Sequence, residues 1–375
     1  MMKEYTLPIA FLLAPFAILS TGYIWTGQQI GLMIIFLVLM ATMIDNKWLR
    51  AFLFYAIAWQ VFLFAHAMIH PYKFQAASAS GYTQVLFMTA GAMIYLMASK
   101  SKINLPVFYN VICVAALIQT VIALFQKFGG VDLVPMVLSL IAPTKSKLGE
   151  GALVGTLGNP NYLAAFLAFS VPFFFRKGWS WTVPLVIVAL IAAYTSTAAI
   201  ALGIGMGVFV TYLYREGKLN ARVYGESLTL IALWIICYSF FFHPSLFQVY
   251  GTPAAEQVRD LGRGESLVRG DIWMYAWAAV SLTWQNFIFG LGPGAAWKYN
   301  YPLHSEWVTL LHQFGLIGLT IAAGYLLTVS RKNIYLFSAF IIIVINMFGN
   351  AALHIAPTAF LICMVAGLME RERKG

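Results

Sequence analysis

The sequence predicts an all-α, polytopic integral membrane protein of about twelve transmembrane helices, with a large outer loop that carries an interfacial helix. Three observations predict it. The chain of 375 residues is 61% hydrophobic and only 10% charged, with a mean hydropathy of +0.80, whereas a soluble domain carries about 25% charged residues. Apolar stretches recur from end to end with short polar knots between them, and they lack the alternation of barrel strands. The Lys and Arg residues behind the net charge of +10 sit in small clusters between apolar runs. That distribution reads as membrane topology and excludes a nucleic-acid-binding face.

A helix needs roughly 20 apolar residues to cross a hydrocarbon core of about 30 Å. Candidate spans are 7–25, 28–44, 51–69, 83–98, 105–125, 161–175, 182–195, 198–214, 226–242, 305–329, 334–349 and 356–369. The first is too long for a signal-peptide core and has no small-residue cleavage site after it, so it reads as an uncleaved span. Alternate knots are basic: Lys47 and Arg50, Lys100 and Lys102, Arg176 and Lys177, Arg215, Lys218 and Arg222, Arg331 and Lys332, and Arg371, Arg373 and Lys374. Together with Lys3 they hold 15 of the 23 Lys and Arg residues, which assigns that side and both termini to the cytoplasm. Residues 182–214 would make one helix of about 50 Å, yet both ends are basic. A turn at Thr195-Ser196-Thr197 therefore divides the run into two crossings. The spacing Gly203-x-x-x-Gly207 in the second predicts a close helix contact. Cys113, Cys237 and Cys363 all fall in apolar spans, where a thiol acts as a small hydrophobe, and no disulfide or zinc spacing is present.

The whole chain thus reads as one membrane-embedded domain with two long outer loops, 126–160 and 243–304. Loops of that length in a compact protein are usually functional. They hold seven of the remaining basic residues, namely Lys127, Lys145, Lys147, Arg259, Arg263, Arg269 and Lys298, while Lys73 lies in a short outer loop. Away from the span ends, His66 and His312 are the only His, Asp, Glu, Lys or Arg residues inside a span, so chemistry is expected at the outer face.

In the second loop, Arg269-Gly270-Asp271 opens a helical segment from Ile272 to Phe289. Trp273, Trp277 and Trp284 fall at offsets that share one helix face, suited to the headgroup layer. Arg269 stands at the amino-terminal end, where free N–H groups and the dipole favour an anion. A guanidinium there forms a diphosphate clamp, or else a solvated or headgroup-binding arginine. Gly290-Leu291-Gly292-Pro293-Gly294 is a tight turn and lacks the Gly-Lys-Ser/Thr ending of a nucleotide phosphate loop. Pro302-Leu303-His304-Ser305-Glu306-Trp307 then enters a long span, with Ser305 as helix cap and Glu306 in the first turn. His304 sits at the water boundary as a general base or a structural hydrogen-bonder. The first loop closes on Gly155-Thr156-Leu157-Gly158-Asn159-Pro160-Asn161, in which Asn159 caps a helix that Pro160 begins. No Ser-His-Asp, HExxH or CxxC arrangement occurs, and the short outer loops at 26–29 and 70–82 contain no Asp or Glu. No cofactor is expected.

The run from Gly155 to Asn161 followed by an apolar span resembles the first signature of the O-antigen ligase and polymerase family. Arg269-x-x-x-Trp273, the Gly290-x-Gly292-x-Gly294 turn, and His304 ahead of Gly315-Leu316-Ile317-Gly318 resemble the second. The resemblance implies a metal-independent, inverting glycosyltransferase of the bacterial inner membrane. Such an enzyme takes a glycan from undecaprenyl diphosphate at the periplasmic face and passes it to lipid A–core, to a growing glycan or to protein. It further implies that Arg269 holds the diphosphate and that His304 activates the acceptor hydroxyl. Lys145, Lys147, Arg263, Asn159 and Asn161 are the further candidate substrate contacts. One departure stands out: family members carry an arginine in the short turn that here reads Thr195-Ser196-Thr197-Ala198. A transporter of lipid-linked sugars is the rival expectation. It is disfavoured by the scarcity of ionisable groups within spans.

Overall fold

The computed structural model describes residues 37–69, 88–128, 155, 157, 160–176, 179–193, 195–218, 272–293, 303, 305–349 and 356–374. Among them every regular element is helical and no strand occurs. Three helices are long and apolar enough to cross a membrane: Leu105–Gln126, Thr197–Arg215 and Glu306–Thr328. Helical residues 37–43 form α1 and Lys47–Ile69 form α2, with α3 at 88–100 and α4 at Leu105–Phe128. Pro160–Phe174 is α5, Val183–Ala192 is α6 and Ser196–Arg215 is α7. Next come α8 (Ile272–Ser281), α9 (Trp284–Phe289), α10 (Glu306–Thr328), α11 (Ile334–Asn346) and α12 (Ala356–Lys374). The expected spans 7–25 and 226–242 lie outside the described residues.

The chain divides into two compact units. In the first, α5 is the central helix. Every residue from Leu163 to Phe174 is buried, as an all-round apolar helix must be. Helices α4, α6, α7 and α11 pack around it. At one end Tyr109 stacks on Phe173 with ring centroids 5.0 Å apart. The Arg176 guanidinium lies 4.8 Å over the Tyr109 ring, and the Asn333 amide donates to the Tyr109 hydroxyl at 2.7 Å. The start of α4, the end of α5 and the start of α11 therefore share one end of the unit.

The 182–214 run does divide at Thr195, whose extended backbone (φ −109°, ψ 99°) caps α7. The expected Gly203/Gly207 contact is corrected, because an added Cβ at either position meets nothing within 4 Å. The packing glycine is Gly205, where a Cβ would collide with Ile342 of α11. Two residues along a helix is a rotation of about 200°, so the close face is opposite the one the spacing suggested.

In the second unit, α2 and α10 form the apolar seam. Leu310 and Phe314 bury themselves against Ala56, with Phe52, Tyr55 and Trp59 alongside. Asn46 starts α2: its side-chain oxygen accepts from the backbone of Trp48 (3.1 Å) and Leu49 (3.2 Å). Its amide also donates to Thr328 at 3.1 Å. Arg371 donates to the Ser101 carbonyl at 3.1 Å, Lys374 pairs with Asp45, and Arg373 grips the buried Glu370 at 2.6 and 3.0 Å. Chain ends carrying Lys47, Lys100, Arg331 and Arg371 are thus gathered at one end of this unit.

Candidate functional site

Most of the residues singled out from the sequence lie outside the described residues: Arg269, Arg263, His304, Lys145, Lys147 and Asn159. Their flanking elements are described, unit by unit, and define what holds each motif.

In the first unit the motif that runs from Gly155 to Asn161 is fastened at both ends. Pro160 begins α5, as expected for a first helical position, and Asn161 follows half-buried in the first turn. Gly155 is tied to the far end of α4. The Gln126 side-chain oxygen accepts from the Gly155 N–H at 3.0 Å, and its amide donates back to the Gly155 carbonyl at 3.4 Å. Gly155 has a φ of +55°, and an added Cβ would come within 2.5 Å of the Gln119 side-chain oxygen and 3.0 Å of Leu163. The positive φ favours glycine here, and a Cβ would in addition press on the ends of two side chains. Gln119 is fully buried. Gln119 and Gln126 are seven residues apart, two turns along one face of α4. Sequence reasoning passed over both. The available signal was a pair of amides at same-face spacing inside an apolar helix, where polar groups are costly and tend to be functional.

In the second unit the helical segment expected from Ile272 to Phe289 is not continuous. α8 ends at Ser281 and α9 begins at Trp284. Thr283 separates them in extended conformation, its hydroxyl capping Asn286 N–H at 3.1 Å. The expected single face of Trp273, Trp277 and Trp284 is therefore corrected. Trp284 opens a second helix, and only the first two share one. Trp273 donates its indole N–H to the Leu303 carbonyl at 2.7 Å and is 36% exposed, against 56% for Trp277 and 65% for Trp284. This bond fastens Leu303, the neighbour of His304, to α8. Ser305 caps α10 as expected, accepting from Val308 N–H at 3.4 Å. Glu306 fills the first turn and is fully buried.

The span expected at 305–329 is present as Glu306–Thr328, with a kink inside it. Gly315 interrupts α10 with φ 62° and ψ −164°. A helix that stops there leaves its last carbonyls without partners, and the Gly290 turn supplies them. Leu291 N–H donates to the His312 carbonyl at 2.9 Å and Gly292 N–H to the Gln313 carbonyl at 3.0 Å. The Tyr55 hydroxyl bridges the carbonyls of Phe314 (3.2 Å) and Phe289 (2.8 Å). Trp59 adds an indole N–H to Phe289 at 3.1 Å. Gly290 and Gly315 are in direct backbone contact, since a Cβ built on either would overlap the other's main chain. Both have positive φ. The two glycine stretches that the sequence separates by some twenty residues are therefore one substructure. Tyr55 and Trp59, one turn apart on α2, are the residues that sequence reasoning missed. Nothing about an isolated Tyr and Trp in an apolar span distinguishes them from ordinary packing.

The three freed carbonyls at the break are all bonded to protein donors, so this kink is not a ready-made cage for a cation. It fixes the half-helix Glu306–Phe314, and with it the capped entrance at Ser305, against α9 and α2. No protein-family model matches the chain, and no curated protein matches it either.

Proposed function

We propose that this protein is a glycosyltransferase of the bacterial inner membrane, multi-pass with about twelve spans and both termini cytoplasmic. It moves a glycan from undecaprenyl diphosphate to an acceptor at the periplasmic face. The reading rests on the signature stretches at 155–161, 269–294 and 304–318. It is supported most directly by the seating of the Gly290–Gly292 turn on the Gly315 break. A backbone junction of this tightness, with Trp273 holding Leu303, gives the segment bearing His304 a rigid base, which positioning catalysis requires.

In the proposed reaction the acceptor hydroxyl attacks the anomeric carbon from the face opposite the diphosphate, forming the new C–O bond with inversion. The bond to the diphosphate oxygen breaks and that oxygen takes the electron pair. His304 accepts the hydroxyl proton, as an imidazole base can. Arg269 holds the diphosphate and offsets the charge that grows on its departure. Arg263, Lys145, Lys147, Asn159 and Asn161 bind the substrates, and membrane lipids surround the helices. The acceptor assigned is lipid A–core. A growing glycan, as in a polymerase, is the alternative within the same chemistry.

Alanine at Arg269 or at His304 is expected to abolish surface polysaccharide while the protein remains inserted. Normal polysaccharide in both variants would defeat the proposal. Incubation with polyprenyl-diphosphate glycan and lipid A–core, followed by gel analysis, gives a core-linked product for a ligase and a lengthened polyprenyl-linked ladder for a polymerase. The broken helix at Gly315 favours one other class, a transporter, since discontinuous helices frame transport sites. Movement of lipid-linked glycan across vesicles without a new glycosidic bond would establish that reading instead.

A further inference from the structure

We propose that the end of the second unit where α2, α3 and α12 meet binds an anionic phospholipid. Arg50 and Lys100 hold its phosphate, and exposed apolar faces of α2 and α3 receive its acyl chains. Nothing in this site depends on the glycosyltransferase reading. Asn46 fixes its depth. The Asn46 amide donates at 3.1 Å to Thr328, the last residue of a helix long and apolar enough to cross a membrane. Residues 45–50 therefore stand where such a span ends and headgroups begin. Three helix ends converge there. Lys374, at the end of α12, pairs with Asp45, and Arg371 donates to the Ser101 carbonyl just beyond α3 at 3.1 Å. At Gly367 the helices α12 and α3 run so close that an added Cβ would collide with the Tyr95 carbonyl.

The Lys374 hydrogen bond, and with it the charges of Lys374, Lys100 and Arg50, hold the Asp45 carboxyl below its ordinary value of 3.8. One carboxylate among three cations leaves the patch positive. Lys374 is engaged by Asp45 and, at 3.8 Å, by the buried Glu370. The side chains of Arg50 and Lys100 have no hydrogen-bonding partner among the described residues. A guanidinium forks onto phosphate oxygens and an ammonium adds a point charge. Apolar side chains follow each cation along its helix. Exposed Phe54 lies one turn from Arg50, and exposed Met97 and Met93 lie three and seven residues before Lys100, all at same-face spacing. Leu53, Ile57, Leu96 and Ala98 between them are buried, so the cation-bearing faces are the outward ones. A free phosphate has no use for such a face. A phospholipid presents its phosphate above its chains in the same order.

Native mass spectrometry of the full chain in a neutral detergent, titrated with phosphatidylglycerol or phosphatidylcholine, tests the site. Phosphatidylglycerol is expected to bind at least about fivefold tighter. Arg50→Gln and Lys100→Gln should each weaken it by about fivefold and leave phosphatidylcholine unchanged. Lys218→Gln, which removes an exposed cation of the first unit, should change neither. Phe54→Ala and Met97→Ala keep both cations and should weaken phosphatidylglycerol by about twofold or more. Asp45→Asn separates the site from a folding defect, because loss of the carboxylate should tighten phosphatidylglycerol by about fivefold, whereas structural damage would weaken it. Equal affinity for the two lipids, or no loss in either Arg50→Gln or Lys100→Gln, would overturn the site. So would an equal loss in Lys218→Gln, which would reduce the effect to net charge, or weaker binding in Asp45→Asn. Displacement by inorganic phosphate at the concentration of the lipid, with no effect of Phe54→Ala or Met97→Ala, would overturn the lipid as occupant.

Discussion

The two motif-bearing regions are pinned by different means. In the first unit a side chain, Gln126, holds the peptide of Gly155. In the second, backbone holds backbone, through Leu291 and Gly292 bonded to the carbonyls of a broken helix. The difference sets how each region tolerates change. A side-chain tie relaxes by degrees, because a side-chain end can shift without moving main chain. A main-chain junction has no such slack: any Cβ at Gly290 or Gly315 must displace the fold around it.

Alanine at these glycines is the sharpest way to break the comparison. Gly290→Ala and Gly315→Ala each combine a positive-φ penalty with overpacking against main chain, and should cost about 3 kcal/mol or more. Loss of monodisperse protein on size exclusion, or a large drop in thermal midpoint, would register it. Gly155→Ala meets a movable side-chain oxygen, so about 1–2 kcal/mol is expected, chiefly from its φ. If Gly155→Ala proved as damaging as Gly290→Ala, the distinction between the two kinds of anchor would fail.

The glycines of α7 sharpen the contrast on a smaller scale. Gly203→Ala and Gly207→Ala should each stabilise by about 0.5–1 kcal/mol through helix propensity, since both face open space. Gly205→Ala should destabilise by about 1–3 kcal/mol, because the new methyl collides with Ile342. Thermal unfolding of the three single variants gives the sign at each position.

The smallest effect belongs to a third kind of tie, the exposed ion pair of Asp45 with Lys374. The hydrogen bond from Lys374 holds the Asp45 carboxyl below its ordinary value of 3.8. A depressed folded-state pKa contributes stability above the unfolded value and loses it as pH falls through the folded one. Between exposed partners this amounts to about 0–1 kcal/mol. Asp45→Asn should therefore shift the thermal midpoint slightly near neutrality and not at all well below the folded-state pKa of Asp45.

Much of the helical order was legible from hydropathy alone. The break at Thr195, the Pro160 start of α5 and the Ser305 cap each follow from local chemistry that operates within a few residues. The misses share a cause. The GxxxG spacing in α7 names two helix faces equally well until a partner helix is present, and Ile342 chose the other one. The tryptophan series assumed an unbroken helix across Thr283, a residue whose hydroxyl caps a new one. Tyr55 and Trp59 carry no local signal, because their partners lie in other elements, whereas Gln119 and Gln126 stood out only as two amides at same-face spacing in an apolar helix.

Composition and periodicity by themselves determined that this chain is helical and apolar, where most of its helices begin and end, and which glycine and histidine stretches stand out. Those properties follow from backbone hydrogen bonding and side-chain spacing within a single turn or two. Only the tertiary structure decided that Gly290 meets Gly315, that Tyr55 and Trp59 complete the broken helix, and that Gln126 clamps Gly155. Such contacts depend on which faces of distant helices come together, and a peptide group left unpaired by a kink takes whatever donor the fold brings within 3 Å or so.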